Sequence, residues 1–238
     1  MYGRIVFGVS GLLFSVVALM WHDADTWQGL VQLWSLPFGT VIGACLMVAQ
    51  VAGGIGILFP RIARLASIVL FVVYALFSLA SIPAIFAAPA TYGPYGGFFE
   101  QFSLVCGAVA VYAATVTNAT LNRAARIGLG LCAVSFTLAQ IFYPDITRDL
   151  VPTWIPPNQM FWVVLTTVAF GLAAVAILVN RQARLAMRLM TLMLALFGLL
   201  VWVPMLISHP EAHGNWSEFA LNFQITGAAW VVSALKAV

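Results

Sequence analysis

Apolar residues run along this chain in blocks of about 20, the length a helix needs to cross the hydrocarbon of a bilayer, with polar stretches between them. The blocks predict eight transmembrane helices, near residues 4–21, 38–59, 62–86, 98–117, 124–142, 158–179, 183–207 and 217–236. Unbroken helix is the expected state, because backbone polar groups have no water partner in lipid and the short alternating segments of a barrel are missing. The expected fold class is an all-α integral membrane protein.

The polar stretches are of two kinds. Tight basic turns such as Pro60-Arg61-Ile62-Ala63-Arg64-Leu65-Ala66 and Asn180-Arg181-Gln182-Ala183-Arg184-Leu185-Ala186 alternate with longer connections at 22–37, 87–97, 143–157 and 208–216. Arg4, Arg61, Arg64, Arg123, Arg126, Arg181, Arg184, Arg188 and Lys236 fall on the side of the tight turns; only Arg148 falls on the other. All the acids, Asp23, Asp25, Glu100, Asp145, Asp149, Glu211 and Glu218, and the histidines His22, His209 and His213 belong to the opposite side. The positive-inside rule then predicts a multi-pass protein of a bacterial-type inner (cytoplasmic) membrane with both termini cytoplasmic and Arg61, Arg64, Arg181 and Arg184 as topology anchors. The longer connections carry the Trp and Tyr expected of an outer headgroup belt, and Thr26–Trp34 and Ile146–Trp154 are candidate interfacial half-helices.

Composition agrees: 63% of residues are hydrophobic and 7% charged, against roughly a quarter charged in soluble domains. A net charge of +3 does not signal nucleic-acid binding, because the basic residues are sparse and set topology. Arg4 and the apolar run after it look like a signal peptide, but the run is long enough to span and no small-residue cleavage site follows. Cys45, Cys106 and Cys132 sit inside apolar runs with no metal or redox spacing and read as small packing residues.

Slid against itself by 120 residues without a gap, the chain matches at about 25 of roughly 118 positions, where chance would give perhaps ten at this composition. The matches include both Arg-x-Ala-Arg-Leu-Ala turns, Asp25 with Asp145, Trp34 with Trp154, Ala75-Leu76-Phe77 with Ala195-Leu196-Phe197, and Gly107-Ala108 with Gly227-Ala228. The sequence thus reads as two tandem four-helix units, 1–118 and 121–238, joined near Asn118–Asn122. An even number of spans per unit gives both copies the same, parallel orientation. Small residues Ala49, Ala52, Gly53 and Gly56 in the second span, and Ala169, Ala173 and Ala176 in its copy, predict close backbone packing.

Polar groups within spans are costly in lipid, so Gln50, Tyr74, Glu100, Gln101, Gln140, Asn222 and Gln224 should face the bundle or a wet cavity. Glu100 and Glu218 stand near the outer ends of their helices, where snorkelling or the helix N-terminus explains a carboxylate more simply than a proton relay does. His209 and His213 are four apart with Glu211 between them, a weak metal pair, because Pro210 and Gly214 favour a loop and no third ligand is local. His22, Asp23 and Asp25 are further outer-face candidates. No histidine lies mid-span for haem, and no nucleotide loop or hydrolytic triad is present.

A Gly-rich second span ending in Gly-Gly-Ile-Gly-Ile-Leu-Phe-Pro-Arg-Ile-Ala-Arg-Leu-Ala, with a Trp/Pro segment before it, resembles the DoxX/DoxD-like membrane proteins. So does the second copy, from Phe161-Trp162 to the Arg181–Ala186 turn, with its outer loop from His209 to Trp216. The resemblance implies a four-helix bundle in each half, accompanying oxidoreductases that include the membrane subunit of a thiosulfate:quinone oxidoreductase. Family members often carry a Glu in the second span; Gln50 and Phe170 stand there here, which leaves chemistry that needs that carboxylate without its residue.

The expectation is an accessory membrane subunit of a quinone-linked redox complex, at most a membrane subunit of an oxidoreductase. It would have no intrinsic cofactor, quinone as its candidate ligand, and other membrane or periplasmic subunits as partners alongside the lipid bilayer. Gln50, Tyr74, Glu100, Gln101 and Gln140 are the quinone or ligand candidates. A purely structural or assembly subunit is the alternative, and a small-solute transporter ranks third, because the prolines cluster near span ends.

Overall fold

The computed structural model describes residues 2–21 and 37–235. His22, Asp23, Asp25, Trp27, Trp34, Lys236 and the half-helix expected over Thr26–Trp34 lie outside the described residues.

The described chain is helical. Helix α1 covers Tyr2–Trp21, α2 Gly39–Gly56, α3 Ala63–Ala80, α4 Ile82–Ala87, α5 Gly93–Val116 and α6 Ala119–Phe142. The short α7, Pro144–Leu150, is followed by α8, Gln159–Leu178, and α9, Ala183–Phe197. A π-helical turn, Gly198–Trp202, leads into α10, Val203–Ser208, and α11, His213–Ala234, completes the bundle.

Local chemistry explains the starts. The side-chain oxygen of Asn118 accepts from Leu121 N at 3.0 Å, and that of Asn158 from Phe161 N at 2.8 Å, so each caps orphan donors of the helix that follows. The expected linker Asn118–Asn122 is therefore a cap and the first turn of α6, preceded by a left-handed Thr117 (φ 50°) that ends α5. The 180–186 basic turn closes through left-handed Asn180 and Gln182. Helices α5 and α11 start at Gly93 and His213, earlier than the expected 98 and 217, because Pro94 and polar first turns extend them beyond the apolar runs.

The segments Ala63–Ala87 and Ala183–Ser208 are each interrupted, where continuous helices over 62–86 and 183–207 were expected. Ser81 separates α3 from α4, and the π turn separates α9 from α10. Pro83 and Pro204 each occupy the first turn of the segment after the break. Proline lacks the N–H that would bond back one turn and its ring crowds the preceding carbonyl, so a straight α-helix cannot pass.

Among the described residues, seven segments, not the expected eight, are both long and apolar enough to cross a bilayer. Helix α11 has the length, 22 residues, but not the apolarity. Its Ser217, Gln224, Thr226 and Ser233 are buried within the protein, where polar groups cost less than against lipid.

The long helices pack in a closed order: α1 on α2, α2 on α3, α3 on α5, α5 on α6, α6 on α8, α8 on α9, α9 on α11 and α11 on α1. Helices α5 and α11 also meet each other across the middle. The small residues sit at these contacts. A methyl at Gly8 would lie 2.6 Å from the Gly54 carbonyl oxygen, so only backbone fits between α1 and α2 there.

The two ends differ in chemistry. At one, Arg64 donates to Tyr112 Oη at 3.4 Å, Arg126 to the Ile177 carbonyl, and Arg184 to the Leu235 carbonyl at 3.2 Å. Each of these arginines ties the start of one helix to the end of another. At the other end, Tyr143 Oη accepts from Gly93 N at 3.1 Å, and His213 stacks on Trp21 with ring centroids 4.3 Å apart.

Candidate functional site

Among the described residues, three polar features carry the expected ligand candidates. The first joins α1, α2, α3 and α11. Tyr74 Oη accepts from Gln224 Nε2, and Gln50 Nε2 donates to the Gly11 carbonyl at 3.0 Å. Gly11 is what lets these meet, because a methyl there would lie 2.9 Å from Gln224 Nε2 and 3.1 Å from Tyr74 Oη. Gln50 is 1% exposed and its Oε1 has no hydrogen-bond partner, which is a cost for a buried acceptor. Gln50 and Tyr74 thus belong to one cluster; Gln224 completes it.

The second feature is a cavity of about 280 Å³ at the acidic end. Glu100 and Gln101 of α5 and Glu218 of α11 line it, with Ser81 from the α3–α4 break and Phe14 from α1. Glu100 and Glu218 therefore share one cavity.

The third is an apolar cleft of about 470 Å³ between α8 and α9, closed over by α7 and the segment after it. Leu165, Leu192, Leu196 and Trp202 are among its walls, and Gln140 enters from α6. Gln140 Oε1 accepts from Thr166 Oγ1 at 3.1 Å and Thr167 Oγ1 at 2.8 Å. The same hydroxyls lie 2.8 Å from the Trp162 carbonyl and 2.7 Å from the Val163 carbonyl. A hydroxyl both donates and accepts, so the threonines hold whichever end of the amide is turned to them. The other end has no hydrogen-bond partner among the described residues and faces the cleft.

The cover of this cleft is pinned. Gln159 Nε2 donates to the Arg148 carbonyl at 3.0 Å and the Val151 carbonyl at 2.6 Å, fixing the end of α7 to the start of α8. Arg148 pairs with Asp149 at 2.9 Å and Asp145 at 2.8 Å. The hydrogen bond and charge of Asp149, then the charge of Asp145, hold its guanidinium above its ordinary range. The expected half-helix over Ile146–Trp154 is shorter, ending at Leu150, with Trp154 exposed beyond it.

The ligand candidates therefore divide: Gln50 with Tyr74, Glu100 with Gln101, and Gln140 apart from both. Thr166, Thr167, Gln159 and Ser81 were not singled out by sequence, where a lone hydroxyl or amide near a span end carries no pattern. His209 and Glu211 approach to 3.4 Å as an exposed pair, while His213, expected in a loop, opens α11 against Trp21. Among the described residues no three His, Cys, Asp or Glu side chains gather as a metal site. Cys45, Cys106 and Cys132 are free thiols.

No protein-family model matches this chain, and neither a curated protein nor a solved structure matches it.

Proposed function

We propose that this chain is a DoxX-like integral membrane subunit that holds a quinone-type amphiphile beside Gln140 and is accessory to a membrane redox complex. One observation carries the reading: a side-chain amide 7% exposed presents an unpartnered end to an otherwise apolar cleft of about 470 Å³. Small-molecule sites are of this size and kind, apolar with a few placed polar groups. An NH₂ end of Gln140 suits a ring carbonyl, and the carbonyl end suits the hydroxyl of the reduced ring. Aliphatic walls suit an isoprenoid tail.

In this reading the chain is two tandem four-helix units, 1–118 and 121–238, in parallel orientation. It crosses an inner membrane eight times with both termini cytoplasmic. The packing order supports it, because exchanging α1, α2, α3 and α5 for α6, α8, α9 and α11 maps every contact in that order onto another. Helix α11 then crosses as the helix enclosed by α1, α5 and α9.

Purification from the native membrane in mild detergent, with mass spectrometry of extracted small molecules and of co-purifying proteins, tests the function. Quinone and redox subunits should accompany the wild-type chain, with quinone depleted in Gln140→Leu. A solitary chain without quinone overturns the reading.

The interrupted third spans also favour small-solute transport as a second reading, since broken helices are common at transport sites. Solute flux in proteoliposomes distinguishes it.

A further inference from the structure

The arginine-bearing end of the bundle holds a corner without counter-charge. Arg126 of α6 donates to the Ile177 carbonyl near the end of α8, and the backbone N–H of Arg181 donates to the neighbouring Ala176 carbonyl at 3.0 Å. The start of α6 and the turn between α8 and α9 are thereby drawn together. Arg123 stands three residues before Arg126, a neighbour on the helix surface. Among the described residues, the ion pairs are those of Arg148 with Asp145 and Asp149 and of His209 with Glu211, all at the opposite end. Arg123 and Arg181 are exposed, and Arg126 is half-buried with one of its five N–H donors taken by the Ile177 carbonyl. Asn122, one turn before Arg126 on the same face, has a side-chain oxygen with no hydrogen-bond partner. Farther along α6 and α8, Leu131, Leu172 and Val175 are exposed.

We propose that this corner binds an anionic glycerophospholipid, its phosphodiester against Arg123, Arg126 and Arg181 and a headgroup hydroxyl turned to Asn122. Guanidinium donors pair strongly with phosphate oxygens, and basic residues between helix ends attract anionic lipid. The unpartnered Asn122 oxygen calls for a donor, which a glycerol headgroup has and a choline headgroup lacks. A lipid fits better than a free phosphate, because the exposed apolar residues that continue from the corner are covered by acyl chains. Arginine anywhere along this end favours the interface in general. What marks this corner is that arginines from two elements far apart in sequence are held side by side, with an unpartnered amide next to them.

Native mass spectrometry of the delipidated full chain in detergent micelles, titrated with phosphatidylglycerol, tests this. Phosphatidylcholine, glycerol phosphate and phosphatidylethanol, which has the same charge and no headgroup hydroxyl, are the comparators. Phosphatidylglycerol should bind about tenfold more tightly than phosphatidylcholine, the size of one charged hydrogen bond, with phosphatidylethanol between them and glycerol phosphate unbound. Arg123→Gln and Arg181→Gln, exposed positions that can change without loss of the wild-type melting temperature, should each weaken phosphatidylglycerol and leave phosphatidylcholine unchanged. Asn122→Leu should abolish the difference between phosphatidylglycerol and phosphatidylethanol. Arg61→Gln, in the other basic turn, and Gln140→Leu should leave lipid binding unchanged, so failure here is distinct from failure of the quinone reading. Equal binding of phosphatidylglycerol and phosphatidylcholine, undiminished binding in both arginine variants, or an equal loss in Arg61→Gln overturns the site. Binding of glycerol phosphate as tight as that of the lipid overturns the lipid as its occupant, and equal binding of phosphatidylethanol overturns the Asn122 contact.

Discussion

Gly107 of α5 lies against Ala228 of α11 so closely that a methyl at Gly107 would stand 2.6 Å from the Ala228 Cβ. The two residues belong to Gly-Ala dipeptides that recur 120 positions apart. The same methyl would lie 3.0 Å from the Ala228 Cα and 3.1 Å from Phe7, so it has no flexible neighbour to displace. Gly107→Ala should therefore lower stability by about 1–3 kcal/mol through overpacking. Thermal unfolding in detergent measures it, and an unchanged transition would show that the α5–α11 crossing relaxes freely.

Tyr74 and Gln224 are tied by a hydrogen bond inside the bundle, so removing one partner strands the other. Tyr74→Phe should cost about 1–3 kcal/mol, the desolvation of an unsatisfied amide. Tyr74→Phe combined with Gln224→Leu should recover part of that loss. A double-mutant cycle with no coupling between the two would show that the bond contributes nothing to folding.

Gln140 is held by two threonines, and they enter its function unequally with it. Gln140→Leu should reduce recovered quinone about tenfold, corresponding to ~1.4 kcal/mol, the upper part of the range for one hydrogen bond. Thr167→Val, which leaves the amide present but less firmly oriented, should have a smaller effect. Equal losses in both variants would mean that the amide's orientation matters as much as its presence.

Gln159 fixes the cover of the cleft through two backbone carbonyls. Gln159→Leu should raise hydrogen exchange over 147–151 while leaving α8 protected, and should speed quinone release. Unaltered exchange there would show that the Arg148 pairing with Asp145 and Asp149 holds α7 by itself.

The all-helical architecture of membrane-length apolar segments was legible in the sequence because bilayer thickness sets a length. What periodicity could not show was where helices break: Pro83 and Pro204 sit near span ends, and an apolar run reads the same whether its helix is straight, broken or widened. Helix α11, expected as an eighth span, falls short of that apolarity for a related reason. Helix α11 is enclosed by protein, so Gln224 and Glu218 are tolerated in it, and its apolarity falls although its length does not. Of the site residues, Gln50 and Tyr74 were recognisable as buried polar groups, but their grouping depends on Gly11, whose contribution is the absence of a side chain. Glu100 and Glu218 looked like separate helix-end carboxylates, since no spacing in sequence reveals that α5 and α11 start side by side. Gln140 was recognisable, but the threonines that hold it were not, because Thr residues two turns into a helix commonly bond only to their own backbone.

The segments Ala63–Ala87 and Ala183–Ser208 break by different means, a gap at Ser81 and a widened turn at Gly198–Trp202. The gap lets Ser81 and Ala84 into the acidic cavity, and the widened turn puts Leu200, Val201 and Trp202 on the wall of the apolar cleft. The same kind of proline-induced interruption thus opens the bundle to two spaces of different character. A chimera carrying 78–88 in place of 198–208 would put the Ser81-type gap in both places, asking whether the apolar cleft depends on the widened turn that eleven residues supply.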